Sequence, residues 1–283
     1  MDTLKIGLAL GGGGARGLAH IGIFKVFEKE HIPIDFLSGS SMGGILAAAY
    51  GAGLPAEQME AVALEIANPR RLMRLMDVKP LRRGLMEGKR VRSFLLKKLG
   101  LDLQFEQMRI PVALTATDYL CGETVVLNHG SVIDAVMATS AFPGVFQAVK
   151  INDRWLVDGG MLNNVPINVV RNLGAQIAIA VDVTCETWQW EVPLEPEQIH
   201  RLPSIFPPMT EDLYQSLMIL TSEITRIRFQ ESPPDLVICP RLPIDLSIFL
   251  GFTRASEVIK AGEVAARQAL PGLYRLLENM HGA

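Results

Sequence analysis

Short apolar runs rich in β-branched residues alternate with helical patterns along most of the chain, and this alternation leaves few folds open. Strands are predicted at Lys5–Leu10, Ile34–Gly39, Ile110–Thr117, Thr124–Leu127, Trp155–Asp158, Ile177–Val183 and Leu236–Cys239. Helices are predicted at Arg16–Lys29, Met42–Gly51, Ala56–Ile66, Val91–Leu99, Val132–Thr139, Ile167–Leu173, Thr210–Arg228 and Arg254–Leu277. Such an order specifies an α/β fold with a mostly parallel central sheet and helices on both faces. Gly51, Gly53 and Gly174 suit helix ends, and Pro166 suits a first turn. With 283 residues, 49% of them hydrophobic and 20% charged, the chain can bury one large core, and it is read as a single domain over 1–283.

Parallel sheets build their sites in the loops at the C-terminal ends of strands. The loop after the first strand reads Gly11-Gly12-Gly13-Gly14-Ala15-Arg16-Gly17. Glycines let the backbone turn sharply and gather several N–H groups at a helix start, where they can cradle a phosphate or stabilise an oxyanion. A dinucleotide site would need an acidic residue at the end of the next strand. Asp35 lies at that strand's start instead, and its end carries Gly39-Ser40-Ser41-Met42-Gly43. A Gly-x-Ser-x-Gly elbow between strand and helix holds a serine in a tight, strained turn with its hydroxyl exposed above the sheet edge.

A nucleophilic serine needs a base, and no histidine suits the role. His20 falls inside the first helix as a packed or capping residue, and His129 sits beside a turn glycine. His200 lies in a Pro-rich stretch and His281 at the end of the chain. Asp158 ends the strand Trp155–Asp158 and precedes Gly159 and Gly160, so a carboxylate can approach the serine closely. In a dry pocket that carboxylate could act directly as the general base. Asp118 and Asp182, also at strand ends, are read as loop anchors and reserve bases.

In this order Gly12-Gly13-Gly14-Ala15-Arg16-Gly17, Gly39-Ser40-Ser41-Met42-Gly43 and Asp158-Gly159-Gly160 resemble the patatin-like phospholipase family. The likeness is greatest to its bacterial members related to neuropathy target esterase. Gly17-Leu18-Ala19-His20-Ile21-Gly22, Ser140-Ala141-Phe142-Pro143-Gly144 and Asn163-Asn164-Val165-Pro166 extend it, so that it spans residues 5–183. It implies a three-layer α/β/α fold and acyl-ester hydrolysis by a Ser41–Asp158 dyad without histidine. The Gly12, Gly13 and Gly14 amides would form the oxyanion hole, with Arg16, Met42, Phe142 and Pro143 supporting substrate or loops. Gly11 stands where plant relatives have an aspartate. No metal or cofactor is called for, and the substrate would be a fatty-acyl ester. The rival readings are a nucleotide-binding protein and a non-catalytic regulator, each using the glycine loop.

Charge is partitioned unevenly. Arg70–Lys98 holds eleven basic residues against Asp77 and Glu87, a net +9, which leaves -12 for the rest of a chain whose total is -3. With Leu72, Met73, Leu75, Met76, Leu81, Leu85 and Met86 interleaved, this stretch could dock on an anionic membrane or form a salt-bridged, solvated excursion. It has too few aromatics for a nucleic-acid site. Residues 184–212 contain five prolines, six acids and the pair Trp188/Trp190, which reads as a loop or lid, before C-terminal helices and a last strand over 213–283. Three cysteines, Cys121, Cys185 and Cys239, fit a reducing compartment better than a disulfide framework. The charge-free run Phe36–Ala56 is broken by serines, glycines and Pro55, so no membrane span is expected. These features together suggest a cytoplasmic protein, with peripheral contact at the inner membrane face open to it.

Overall fold

The computed structural model describes residues 4–77, 86–185, 208–243, 246 and 250–281. Lys79, Leu81, Arg82, Arg83 and Leu85 of the basic stretch, Trp188, Trp190 and His200 lie outside the described residues. From β1 (Ile6–Leu10) the chain passes through the glycine loop and a 3-10 turn (Gly14–Leu18) into α1 (Ala19–Lys29). β2 (Phe36–Gly39), α2 (Ser41–Gly51), α3 (Ala56–Ile66), α4 (Pro69–Leu75) and α5 (Lys89–Leu99) follow. The middle comprises β3 (Val112–Asp118), β4 (Thr124–Leu127), α6 (Val132–Thr139), β5 (Val149–Ile151) and β6 (Arg154–Asp158). Last come α7 (Ile167–Asn172), β7 (Ile177–Val181), α8 (Pro208–Glu231), β8 (Leu236–Ile238) and α9 (Ala255–His281).

All eight strands form one sheet in the order β5-β6-β3-β2-β1-β7-β8, with β4 also pairing to β3. The run β3-β2-β1-β7-β8 is parallel, as the alternation of strands and helices requires. Beyond β3 the sheet adds what the expected mostly parallel arrangement leaves open: β4, β5 and β6 pair antiparallel, so the sheet is mixed. Hairpin connections of a few residues permit this, whereas a parallel neighbour needs a long crossover.

The two faces of the sheet differ in side-chain size. Ile6, Leu8 and Leu10 of β1 and Ile177, Ile179 and Val181 of β7 join α1, α2, α3, α6 and α9 in the larger core. On the opposite face Ala9, Ala178 and Ala180 pack thinly against Val165, Ile167 and Val170 around α7. Period-2 alternation of large and small residues therefore sets a deep helical layer on one side and a shallow one on the other. The deep layer holds the site.

Two short elements escape the sequence pattern. α4 is a seven-residue helix started by Pro69 and capped by Asn68, whose side chain accepts from the Arg70 N–H at 2.9 Å. β5 has three residues and pairs only with β6, too short for periodicity to register. α8 begins at Pro208, two residues ahead of the predicted helix start and inside the 184–212 stretch that also reads as a loop or lid.

The cysteine reading also needs correcting. Cys185 and Cys239 form a disulfide with their Cα atoms 6.2 Å apart, while Cys121 is free and exposed. Val181 pairs with Ile238, so the parallel β7–β8 register brings the following residues together across 54 positions of sequence. Among the described residues, no helix is long and apolar enough to cross a membrane.

Candidate active site

Sheet register brings three turns to one edge. Leu10 of β1 pairs with Gly39 of β2, and Gly39 in turn with Leu114 of β3. Asp158 pairs with Ala116, two residues further along β3, because β6 returns antiparallel toward the same edge. The glycine loop, the Ser41 elbow and the Asp-Gly-Gly turn thus converge, although the last lies more than a hundred residues beyond the other two.

Ser41 has φ 51°, a left-handed conformation that costs a non-glycine residue energy, as the elbow motif predicts. Its N–H donates to Thr139 Oγ1 at 2.9 Å, and that hydroxyl donates to the Thr115 carbonyl at 2.6 Å. The strained turn is thereby pinned from α6 and β3. A Cβ on Gly43 would lie 2.2 Å from the Leu10 carbonyl oxygen, so only glycine lets the start of α2 sit this close to β1. Thr139 carries no motif and was not among the sequence candidates.

Asp158 is 2% exposed. Its Oδ1 accepts from the Gly160 N–H at 2.8 Å, and its backbone carbonyl accepts from Thr117 Oγ1 at 3.0 Å. Burial pushes the carboxyl up to about 6, against the opposing pull of the Ser41 hydroxyl and the Gly160 amide. Oδ2 is buried and has no partner at strict hydrogen-bond geometry, so the Ser41 contact is a loose one.

The glycine loop is held from two sides. His20 is fully buried, its Nε2 is 2.8 Å from the Gly11 carbonyl, and burial lowers its pKa to about 4. It is therefore a neutral donor that braces the loop, in keeping with the packed role expected of it. Gly12, expected to supply an oxyanion donor, instead donates its N–H to Asn164 Oδ1 at 3.0 Å. The Gly13 and Gly14 amides donate to no described residue, and both glycines line the cavity in front of Ser41.

That cavity measures about 260 Å³. Ser41, Asp158 and Gly12–Gly14 stand at its polar end, and α3, α4 and α5 wall it with Met59, Ala63, Leu72, Leu95 and Leu99. Met42 and Phe142 line it as well, with the Phe142 ring tilted toward Tyr214 of α8 at 6.5 Å between centroids. Pro143 is half-buried in the adjoining turn and does not reach the cavity. Arg16 is 6% exposed; its Nε has no hydrogen-bond partner, and no described carboxylate pairs with it. Burial lowers its pKa, opposed by a charge interaction with Tyr214.

The reserve acids anchor loops. Asp118 Oδ1 accepts from the Leu120 and Cys121 amides and Oδ2 pairs with Arg154, while Asp182 Oδ1 accepts from the Thr184 amide and hydroxyl. Among the described residues no cluster of His, Cys, Asp and Glu could hold a metal ion.

A family model described as patatin-like phospholipase matches residues 8–171. An uncharacterised NTE family protein of Mycobacterium tuberculosis is 30% identical over 288 residues, covering 96% of this chain and 48% of that protein. A second from the same organism is 32% identical over 181 residues, 63% of this chain and 49% of the relative. The mouse patatin-like phospholipase domain-containing protein 6 is 30% identical over 182 residues, 63% of this chain and 13% of its own. The chain spans about half the length of the mycobacterial relatives it matches. Among solved structures, VipD from Legionella pneumophila aligns over 96% of this chain and 67% of its own, with a TM-score of 0.49 and 11% identity. The matched stretch runs from β1 into α7 and takes in all three converging turns, so the chain belongs to the patatin-like phospholipase family.

Proposed function

We propose that the protein is a serine hydrolase of fatty-acyl esters, of the phospholipase A, lysophospholipase or carboxylesterase type, with Ser41 as nucleophile and Asp158 as general base. One observation carries the reading: a serine in a left-handed elbow faces a buried carboxylate whose second oxygen has no partner closer than a loose contact with that serine, at the polar end of an otherwise apolar cavity. Asp158 takes the Ser41 proton as Oγ bonds to the acyl carbon. Charge then develops on the carbonyl oxygen, facing the Gly13 and Gly14 amides; one such donor is worth about 3–4 kcal/mol in the transition state. As the intermediate collapses, the ester C–O bond breaks and Asp158 returns the proton to the departing alkoxide. Water, deprotonated by the same carboxylate, releases the fatty acid and restores Ser41.

The apolar cavity is suited to an acyl chain and ill suited to a nucleotide, whose phosphates and base would require polar partners along its walls. A regulator without turnover would have no need of a strained serine beside a buried base. Ser41→Ala is expected to lower hydrolysis of a long-chain acyl ester at least ~10³-fold with an unchanged circular dichroism spectrum. Full activity in that variant would sink the assignment.

The basic excursion supports an anionic lipid surface as the substrate's source. On α4, Leu72 and Leu75 line the cavity while Arg70, Met73 and Arg74 face outward, Met73 being 61% exposed. The interleaved apolar residues are therefore divided between the two faces, and most of the described ones turn inward. Arg71 and Lys98 pair with Glu65 and Arg92 with Asp134, but neither Arg70 nor Arg74 pairs with a described carboxylate.

A further inference from the structure

The backbone of the glycine loop is clamped by a side chain that comes from the other half of the site. Asn164 is 4% exposed, lies six residues beyond Asp158 and lines the cavity. Its Oδ1 accepts from the Gly12 N–H at 3.0 Å, and its Nδ2 donates to the Gly12 carbonyl at 3.5 Å. These two atoms belong to consecutive peptide planes. The Gly11–Gly12 plane is held at its carbonyl by His20 and at its N–H by Asn164. In the Gly12–Gly13 plane Asn164 holds the carbonyl, and because a trans peptide points C=O and N–H in opposite directions, this also sets the direction of the Gly13 N–H. Gly14 needs no such help, since the Gly13 carbonyl accepts from the Arg16 N–H at 3.1 Å within the 3-10 turn.

The clamp is tight on every side. A Cβ on Gly12 would lie 2.8 Å from Asn164 Oδ1 and 2.8 Å from Ser41 Cβ, so Gly12 is wedged between the asparagine and the nucleophile. A Cβ on Gly160 would lie 2.9 Å from Asn164 Oδ1 and 3.1 Å from Asp158 Oδ1. One side chain therefore touches the oxyanion loop and, across Gly160, faces the base.

We infer that Asn164 is a positioning residue for the reaction: by gripping both polar groups of Gly12 it aims the Gly13 amide at the developing oxyanion. The inference rests on the Ser41–Asp158 reading above. Kinetics are measured on full-length wild type, Asn164→Ala and Asn164→Asp, with active sites counted by fluorophosphonate labelling of Ser41. Asn164→Ala is expected to lower kcat per labelled site by ~10²–10³-fold, with KM within about twofold. Sulfur accepts hydrogen bonds poorly, so the wild type should prefer an ester over its thionoester; that preference should fall at least ~10-fold in Asn164→Ala. A residue that merely stabilised the fold would reduce the count of labelled sites and leave both quantities alone.

Asn164→Asp keeps the acceptor for the Gly12 amide and adds a carboxylate beside Asp158. Its kcat should fall less, and the acidic limb of its pH profile should move upward because like charges raise each other's pKa. Should the alanine variant fail to fold, the near-isosteric aspartate carries the test through that shift. Unchanged kcat per site and ester preference in Asn164→Ala, or an unmoved limb in Asn164→Asp, would overturn the inference. Wild type that fails to label at Ser41 would instead overturn the dyad reading on which it stands.

Discussion

Asp158 and His20 are perturbed in opposite senses by the same cause, burial. Asp158 rises from 3.8 to about 6 and remains largely ionised at neutral pH, yet accepts a proton more readily than an ordinary carboxylate. Activity should therefore fall about tenfold per pH unit below an apparent pKa near 6, measured as kcat/KM from pH 4.5 to 8. A limb near 4 would mean that the base is a solvated carboxylate and not this one. The same shift has a thermodynamic side. A folded pKa above the unfolded one stabilises the protein fully below 3.8, and that contribution is lost as pH rises through about 6. Asp158→Asn should thus be inactive but more stable than wild type at pH 8, by up to about 3 kcal/mol, with the gain vanishing toward pH 4. Denaturant melts at the two pH values check this. His20, lowered from 6.5 to about 4, has the reverse linkage: its contribution is present above 6.5 and is lost as pH falls. Because both variants of that comparison keep His20, its term cancels. Ser41 and Asp158 were readable in the sequence because each sits in a turn whose glycines are themselves a signal. The engagement of the Gly12 amide was not, since it depends on where Asn164 lands across 152 residues of chain. Thr139, a threonine at the end of an ordinary helix, left no mark at all.

Among the elements, helices with clear periodic patterns were legible to within a few residues, as α3, α5 and α6 illustrate. The antiparallel return of β6 was not, because a strand's direction is set by the length of its connections and not by its own residues. This detail matters: a parallel β6 would carry Asp158 to the edge only by a long crossover, whereas the hairpin from β5 delivers it directly. α4 and α5 form a second layer over the site, with Leu72, Leu95 and Leu99 turned toward Met59 and Ala63 of α3 around the cavity. If an acyl chain lies there, filling the wall should select against chain length without touching the chemistry. Ala63→Phe is expected to cut kcat/KM for a hexadecanoyl ester at least ~10-fold while leaving a butanoyl ester within about twofold. Equal loss on both esters would show that the cavity does not hold the chain.

Over the whole molecule, the near-neutral total conceals a basic stretch set against an acidic remainder. Part of that charge is spent on ion pairs to Glu65 and Asp134; the outward face of α4 keeps Arg70 and Arg74 on either side of Met73. Co-sedimentation with vesicles should therefore depend on anionic lipid, weaken at 0.5 M salt, and fall several-fold in Arg70→Glu/Arg74→Glu. Binding indifferent to lipid charge would remove the docking role from this face. The spacing of Cys185 and Cys239 concealed their pairing for the same reason that it concealed the Asn164 clamp: both follow from the order of strands, which is a property of the assembled sheet. All of these features bear on a single site. The most direct test of that site is the intact mass of the full chain after reaction with a long-alkyl fluorophosphonate. One adduct is predicted, mapping to Ser41, absent in Ser41→Ala and formed much more slowly in Asp158→Asn. Undiminished labelling of Ser41→Ala, or an adduct mapping elsewhere, would contradict the Ser41–Asp158 account.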